Sequence, residues 1–173
     1  DSSFGAAADG IAALPPGANG ESGYLNALLV SADGGAIVGG AYESYGSGMG
    51  TDFSLARFGG DGLLDTTFAN GGWRNFPLEG DASTGNSITR LLAEADGTIM
   101  FVGGYQDATT GSNVVLGRLL ANGDSDDTFG DATTPGFQRV ALLPDAWFRI
   151  PTGLVRQDDG KLVGDVVYET ALP

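Results

Sequence analysis

Three Asp-Gly pairs, Asp33-Gly34, Asp96-Gly97 and Asp159-Gly160, stand 63 residues apart, and no other feature of the chain constrains its fold as strongly. The text around them reads LLVSADGGAIVGG from Leu28, LLAEADGTIMFVGG from Leu91 and GLVRQDDGKLVGD from Gly153. Each is an apolar run, a turn and a second apolar run; the middle copy carries one extra residue after its turn. Asp-Gly between two such runs is a strong hairpin signal, because glycine accepts positive φ at little cost. The flanking residues Ile37, Val38, Ile99, Phe101, Val102 and Val163 are β-formers. The pairs Gly39-Gly40 and Gly103-Gly104 mark places where another backbone or strand approaches closely.

A second block follows each of the first two hairpins: DFSLARFGGDGLLDTTFANGGW from Asp52, then NVVLGRLLANGDSDDTFGD from Asn113. Arg57 matches Arg118, Gly62 matches Gly123 and Phe68 matches Phe129, each 61 apart. The chain opens on DSSFG, so Phe4 matches Phe68 and residues 1–5 read as the tail of a preceding copy. After Val166-Val167-Tyr168 the second block does not recur. The expected units are therefore 1–72, 73–136 and an incomplete 137–173, about 2.7 copies in all. Each full copy reads as four short strands, in the middle one Trp73–Leu78, Ser87–Glu94, Thr98–Tyr105 and Asn113–Leu119. No helical periodicity of useful length competes. The expected fold is all-β: tandem four-stranded antiparallel units resembling propeller blades.

Composition narrows the chemistry. Thirty glycines in 173 residues fit a turn-rich protein, and a 42% hydrophobic content is enough to build a core. A net charge of −14 repels nucleic acid and anionic membrane, so neither is an expected partner. The chain has no cysteine and no histidine, which removes disulfides, thiolate chemistry, serine–histidine triads and the commonest zinc ligands. No apolar run is long enough to span a bilayer. The start at Asp1 suggests processing or trimming, with a removed signal peptide as one explanation. A single lysine, Lys161, beside seven arginines hints at a GC-rich bacterial genome.

The two blocks together resemble the delta-60 repeat family. The residues that carry the resemblance are Asp159-Gly160-Lys161-Leu162-Val163-Gly164, the run Asp52 to Phe58, and Asp61-Gly62-Leu63-Leu64-Asp65-Thr66-Thr67-Phe68. The resemblance covers nearly the whole chain. It implies a β-propeller-like bacterial protein, secreted or on the cell surface, with no assigned catalytic activity. Two complete copies of the second block are fewer than a closed propeller needs, which leaves strand edges open. A fragment of a longer propeller, a ring completed by other copies and a filament joined at open edges all answer that shortage, and strand donation by a partner fits the incomplete third copy.

Candidate site residues fall in three groups. The turn aspartates Asp33, Asp96 and Asp159 read as hairpin geometry, and Arg57 and Arg118 as ion-pair partners of Asp65 and Asp126. The carboxylates Asp61, Asp65, Asp124 and Asp126 crowd two glycine-bearing loops and form a candidate calcium site, against the simpler reading of Asx-turns. The aromatics Tyr42 and Tyr45, and Trp147 and Phe148, are placed in loops that interrupt the repeat, as interface anchors, core caps or sugar-stacking rings. Acidic residues spread evenly through repeated turns rather than converging, so a carboxylate-dependent glycoside hydrolase is a remote alternative and no enzyme is expected. The expected function is an extracellular structural or adhesive module that assembles with copies of itself or another surface protein. A lectin-like carbohydrate-binding module is the alternative.

Overall fold

The computed structural model describes residues 2–14, 22–31, 33–44, 50–76, 78, 85–107, 111–141 and 146–170. Among them the chain forms twelve strands and no helix. Strands β1 (Gly23–Val30), β2 (Ala36–Ser44), β3 (Gly50–Phe58) and β4 (Trp73–Phe76) make one antiparallel sheet in that order. A second sheet repeats it with β5 (Ser87–Ala93), β6 (Ile99–Asp107), β7 (Gly111–Leu119) and β10 (Phe137–Val140). A small ribbon of β8 (Gly130–Asp131) and β9 (Thr134–Pro135) lies between β7 and β10 in the chain. Among the described residues the third sheet has two strands, β11 (Ala146–Arg156) and β12 (Leu162–Thr170). Among the described residues the array is open and does not close into a barrel.

The all-β tandem expectation holds, with one correction to how the strands group. Trp73–Phe76 belongs with the strands before it, pairing Phe53 to Phe76 and Ala56 to Trp73. Phe137–Val140 takes the same place on β7. Boundaries at 72/73 and 136/137 thus each cut a sheet before its last strand. The physical cause lies in the second block. It turns back on itself so that the Arg57 N–H donates to Gly72 O at 2.9 Å, and the Arg118 N–H to Gly136 O at 2.9 Å. Those bonds deliver the following segment to the outer edge of the strand just left.

The Asp-Gly turns are three copies of one object. The N–H of Gly34, Gly97 and Gly160 donates to Ser31, Glu94 and Gln157 at 2.9–3.0 Å, and each glycine has φ of +84°. Oδ1 of Asp33, Asp96 and Asp159 accepts from the N–H of Gly35, Thr98 and Lys161. This is a tight turn closed by a left-handed glycine, a geometry that favours the twist of antiparallel strands. The Gly-Gly pairs do permit close approach. A Cβ on Gly40 would stand 1.7 Å from the Tyr24 carbonyl oxygen, and one on Gly103 would stand 2.6 Å from both Ser87 O and the Phe53 ring.

Successive sheets stack face to face. The first interface holds Ile37, Phe53, Leu55, Phe76, Ile88, Ile99, Phe101 and Leu119 in one cluster. Phe101 sits at its centre, with ring centroids of Phe53, Phe76 and Phe137 at 5.7, 6.5 and 6.0 Å. The second interface joins Met100, Val102 and Val114 to Leu154, Leu162 and Val166 of the third sheet. The apolar faces that meet between successive sheets are thereby buried, as in a repeat array.

Candidate functional site

The molecule's recurring device is a clasp that joins one unit to the next. In the first unit the Arg57 Nε donates to Asp65 Oδ2 at 2.6 Å, and the guanidinium carbon lies 4.8 Å from the Phe68 ring centroid. In the second, Arg118 and Asp126 meet at 2.8 Å, with the cation 5.0 Å from the Phe129 ring. The hydroxyls of Thr67 and Thr128 donate to their aspartates at 2.6 Å, and their N–H groups donate to the same oxygens at 3.0 Å. The Thr67 hydroxyl, with its N–H and the Arg57 guanidinium, holds the Asp65 carboxyl below its ordinary range despite burial. Thr128 and Arg118 do the same to Asp126. Asp52, whose carboxyl is partly buried, is pushed the other way by desolvation.

The clasp closes across units. The fully buried Phe68 ring covers Gly123, where a Cβ would come within 2.8 Å of it. The Ala69 N–H donates to Asn122 O at 2.6 Å, and Arg57 Nη1 to Ala121 O at 2.9 Å. Arg74 adds an ion pair to Asp124 at 3.2 Å. The N-terminus repeats this one unit earlier: the Phe4 ring lies over Gly62, and the Gly5 N–H donates to Asp61 O at 2.8 Å. Phe4 and Gly5 thus take on Gly62 and Asp61 the places that Phe68 and Ala69 take on Gly123 and Asn122. The correspondence also runs further than residues 1–5. Ala12 and Leu14 pack on Val38, Ala56 and Phe58, as Phe76 and Leu78, 64 residues on, pack in the first inter-sheet core. Shrinkage of Phe76 to Ala12 hides that match in the sequence.

Side chains that reach from sheet to sheet form columns at intervals of 63. Leu29 and Ile37, Leu92 and Met100 are cross-strand pairs that face the following sheet, and Val155 and Val163 are the matching pair on the outer face of the third sheet. Leu91, Ile99 and Ile88, and Leu154, Leu162 and Pro151, stand on the faces turned to the preceding sheet, and Leu28, Ala36 and Leu25 hold the matching positions on the outer face of the first sheet. Leu29 and Ile37 meet Ile88, Leu91 and Ile99 in the first core; Leu92 and Met100 meet Leu154 and Leu162 in the second. Both ends of the array stay bare. Leu25 and Leu28 are 55% and 67% exposed, whereas Ile88 in the first of these columns is 0% exposed. At the other end Val155 and Val163 are 57% and 45% exposed, with Ile150 and Val167 beside them. A cleft of about 500 Å³ lies between the N-terminal tail and the bare face, lined by Phe4, Leu14, Leu25, Leu28, Val38 and Phe58.

The sequence-derived candidates fall as follows. The pairing of Arg57 with Asp65 and Arg118 with Asp126 is as expected. Of the calcium candidates, Asp65 and Asp126 turn to arginine and threonine. Asp124 turns to Arg74 and to the Asn122 amide, and Asp61 Oδ1 accepts the Leu63 N–H. Among the described residues no three acidic side chains gather around one point as metal ligands. Tyr42 is not a loop residue: it lies in β2, is buried, and packs against Trp73 with centroids 5.1 Å apart and the rings tilted by 56°. A strand position directed inward made it a core cap. Trp147 and Phe148 belong to β11, at a bulge, and not to a loop. Their side chains, and Tyr45 altogether, lie outside the described residues. Among the described residues no helix is long and apolar enough to cross a membrane. No family model matches the chain.

Proposed function

We propose that this chain is a structural or adhesive β-repeat module, acting outside the bacterial cell, that assembles with other chains through its open β-edges and end faces. One observation carries the reading. The hairpin β11–β12 presents Ile150, Val155, Val163 and Val167 on its outer face, around Asp165, and among the described residues β12 has no neighbour at the edge where β2 and β6 each pair with a third strand. An unpaired edge nine residues long next to exposed valines is a template for another chain. The extracellular placement follows the resemblance to delta-60 repeat proteins. The clasp carboxylates are occupied by arginine and threonine, which supports a scaffold over a hydrolase. The inward-facing Tyr42 removes one of the rings on which a sugar-binding surface would rest.

Light scattering of the eluting protein over a hundredfold range of loading concentration tests this. The expected result is a mass that rises with concentration. A mass fixed at 17.6 kDa throughout would count decisively against assembly.

A further inference from the structure

We infer that two copies of this chain join head to tail, the outer face of β11–β12 in one copy seating on the bare face of β1–β2 in the next. The inference rests on the assembly reading above and gives it a geometry. Its ground is that the molecule builds the same interface twice within itself. The following-face columns through Leu29 and Ile37 seat on the preceding-face columns through Ile88, Leu91 and Ile99. The next members, Leu92 and Met100, seat on Leu154 and Leu162. What remains is one unmatched half of each kind: Val155 and Val163 at one end, beside Asp165, whose carboxylate accepts from the Thr152 hydroxyl, and Leu25, Leu28 and Ala36 at the other. The halves match in position along the strands, because all columns keep the interval of 63. Two different surfaces that fit one another make a heterologous contact, which propagates or closes into a ring.

The N-terminal segment strengthens the case. Residues 2–14 occupy the place held in the first internal interface by residues 66–78, with Phe4 over Gly62 as Phe68 lies over Gly123. They cover Val38 and Phe58 but leave Leu25, Leu28 and Val30 bare. The bare part is the footprint of a preceding unit's first two strands, and a C-terminal hairpin consists of those two strands. The joined unit then holds every strand position but the third, between β12 of one copy and residues 11–14 of the next. The net charge of −14 opposes the contact, so added salt should strengthen it.

Two blocked variants test the geometry. Leu28→Glu places a carboxylate on the head face, and Val163→Glu places one on the tail face; both sites are solvent-exposed, so the monomer should keep its native melting temperature. Each variant alone should associate about a hundredfold more weakly than the unmodified chain, because burying an unpartnered carboxylate is costly. Mixed in equal amounts, they should form a 1:1 dimer that grows no further, since each retains the half the other has lost. Leu25→Glu with Val155→Glu repeats the test should either first variant fold poorly. If the unmodified chain associates but the variants still associate alone, or their mixture yields no dimer, the head-to-tail geometry is wrong while assembly stands. If the unmodified chain is monomeric throughout, the assembly reading falls and this geometry with it.

Discussion

Replacing Phe68 with alanine should destabilise the whole array, because this ring is the pin of the clasp. It is fully buried, lies over Gly123 of the next unit, and carries the Arg57 cation 4.8 Å from its centroid. Truncating a buried phenylalanine costs about 3–5 kcal/mol in transfer and cavity terms. Loss of the cation–π contact, about 1 kcal/mol at a partly exposed site, falls within that range. Gly123→Ala approaches the same contact from the other side. Its methyl would meet the Phe68 ring, and φ of +87° disfavours any side chain, so a cost of about 2 kcal/mol or more is expected. In the double variant the clash with the ring disappears, while the 3.0 Å approach to the Ala69 Cβ and the backbone cost persist. The two changes should therefore fall short of additivity by about 1 kcal/mol. Guanidinium unfolding followed by far-ultraviolet circular dichroism reads all three values. A cost below about 1 kcal/mol for Phe68→Ala, or strict additivity, would refute the view that this contact couples the units. A fall in the denaturant slope would show the sheets unfolding separately, against a shared core.

Other expectations follow from the same geometry. Arg57→Met should cost about 1 kcal/mol more than Arg118→Met in unfolding experiments, because Arg57 also donates to Ala121 O while Arg118 has no cross-unit acceptor among the described residues. Stability should be fully supported above about pH 4, the unfolded aspartate range, and should fall as pH drops through the lowered values of Asp65, Asp96, Asp126 and Asp159; Asp52, shifted upward, opposes that trend. Asp65→Asn with Asp126→Asn should flatten the acid limb of a melting-temperature profile, and an unchanged limb would show those carboxylates are not its cause. A labelled peptide with the sequence of residues 50–58 should bind the β12 edge by strand addition, read by fluorescence anisotropy, and a scrambled peptide should not.

Much of this architecture is legible in the sequence. Asp-Gly at intervals of 63 fixes the hairpins, since only glycine takes φ of +84° freely, and the paired Arg57–Asp65 and Arg118–Asp126 follow from their common spacing. The grouping of Trp73–Phe76 is not legible, because which edge a strand joins depends on the path of the loop before it, here stitched by Arg57 N–H to Gly72 O. Tyr42 misleads for a related reason: Gly-rich text around it reads as loop, while its place in β2 turns the ring onto Trp73. The cross-unit clasp was present as matched Phe4, Phe68 and Phe129 and matched Gly62 and Gly123. Their intervals of 61 and 64 do not reveal that a phenylalanine of one unit meets the glycine of the next.

The central claim is that the two exposed end faces of this array are complementary and that copies of the chain join through them. Electron microscopy of the purified chain, at concentrations where scattering reports association, tests it most directly. The structure calls for particles in which every copy faces the same way, as open rows or closed rings, with the β11–β12 end of each against the β1–β2 end of the next. Isolated single chains, or dimers related by a two-fold axis, would contradict it.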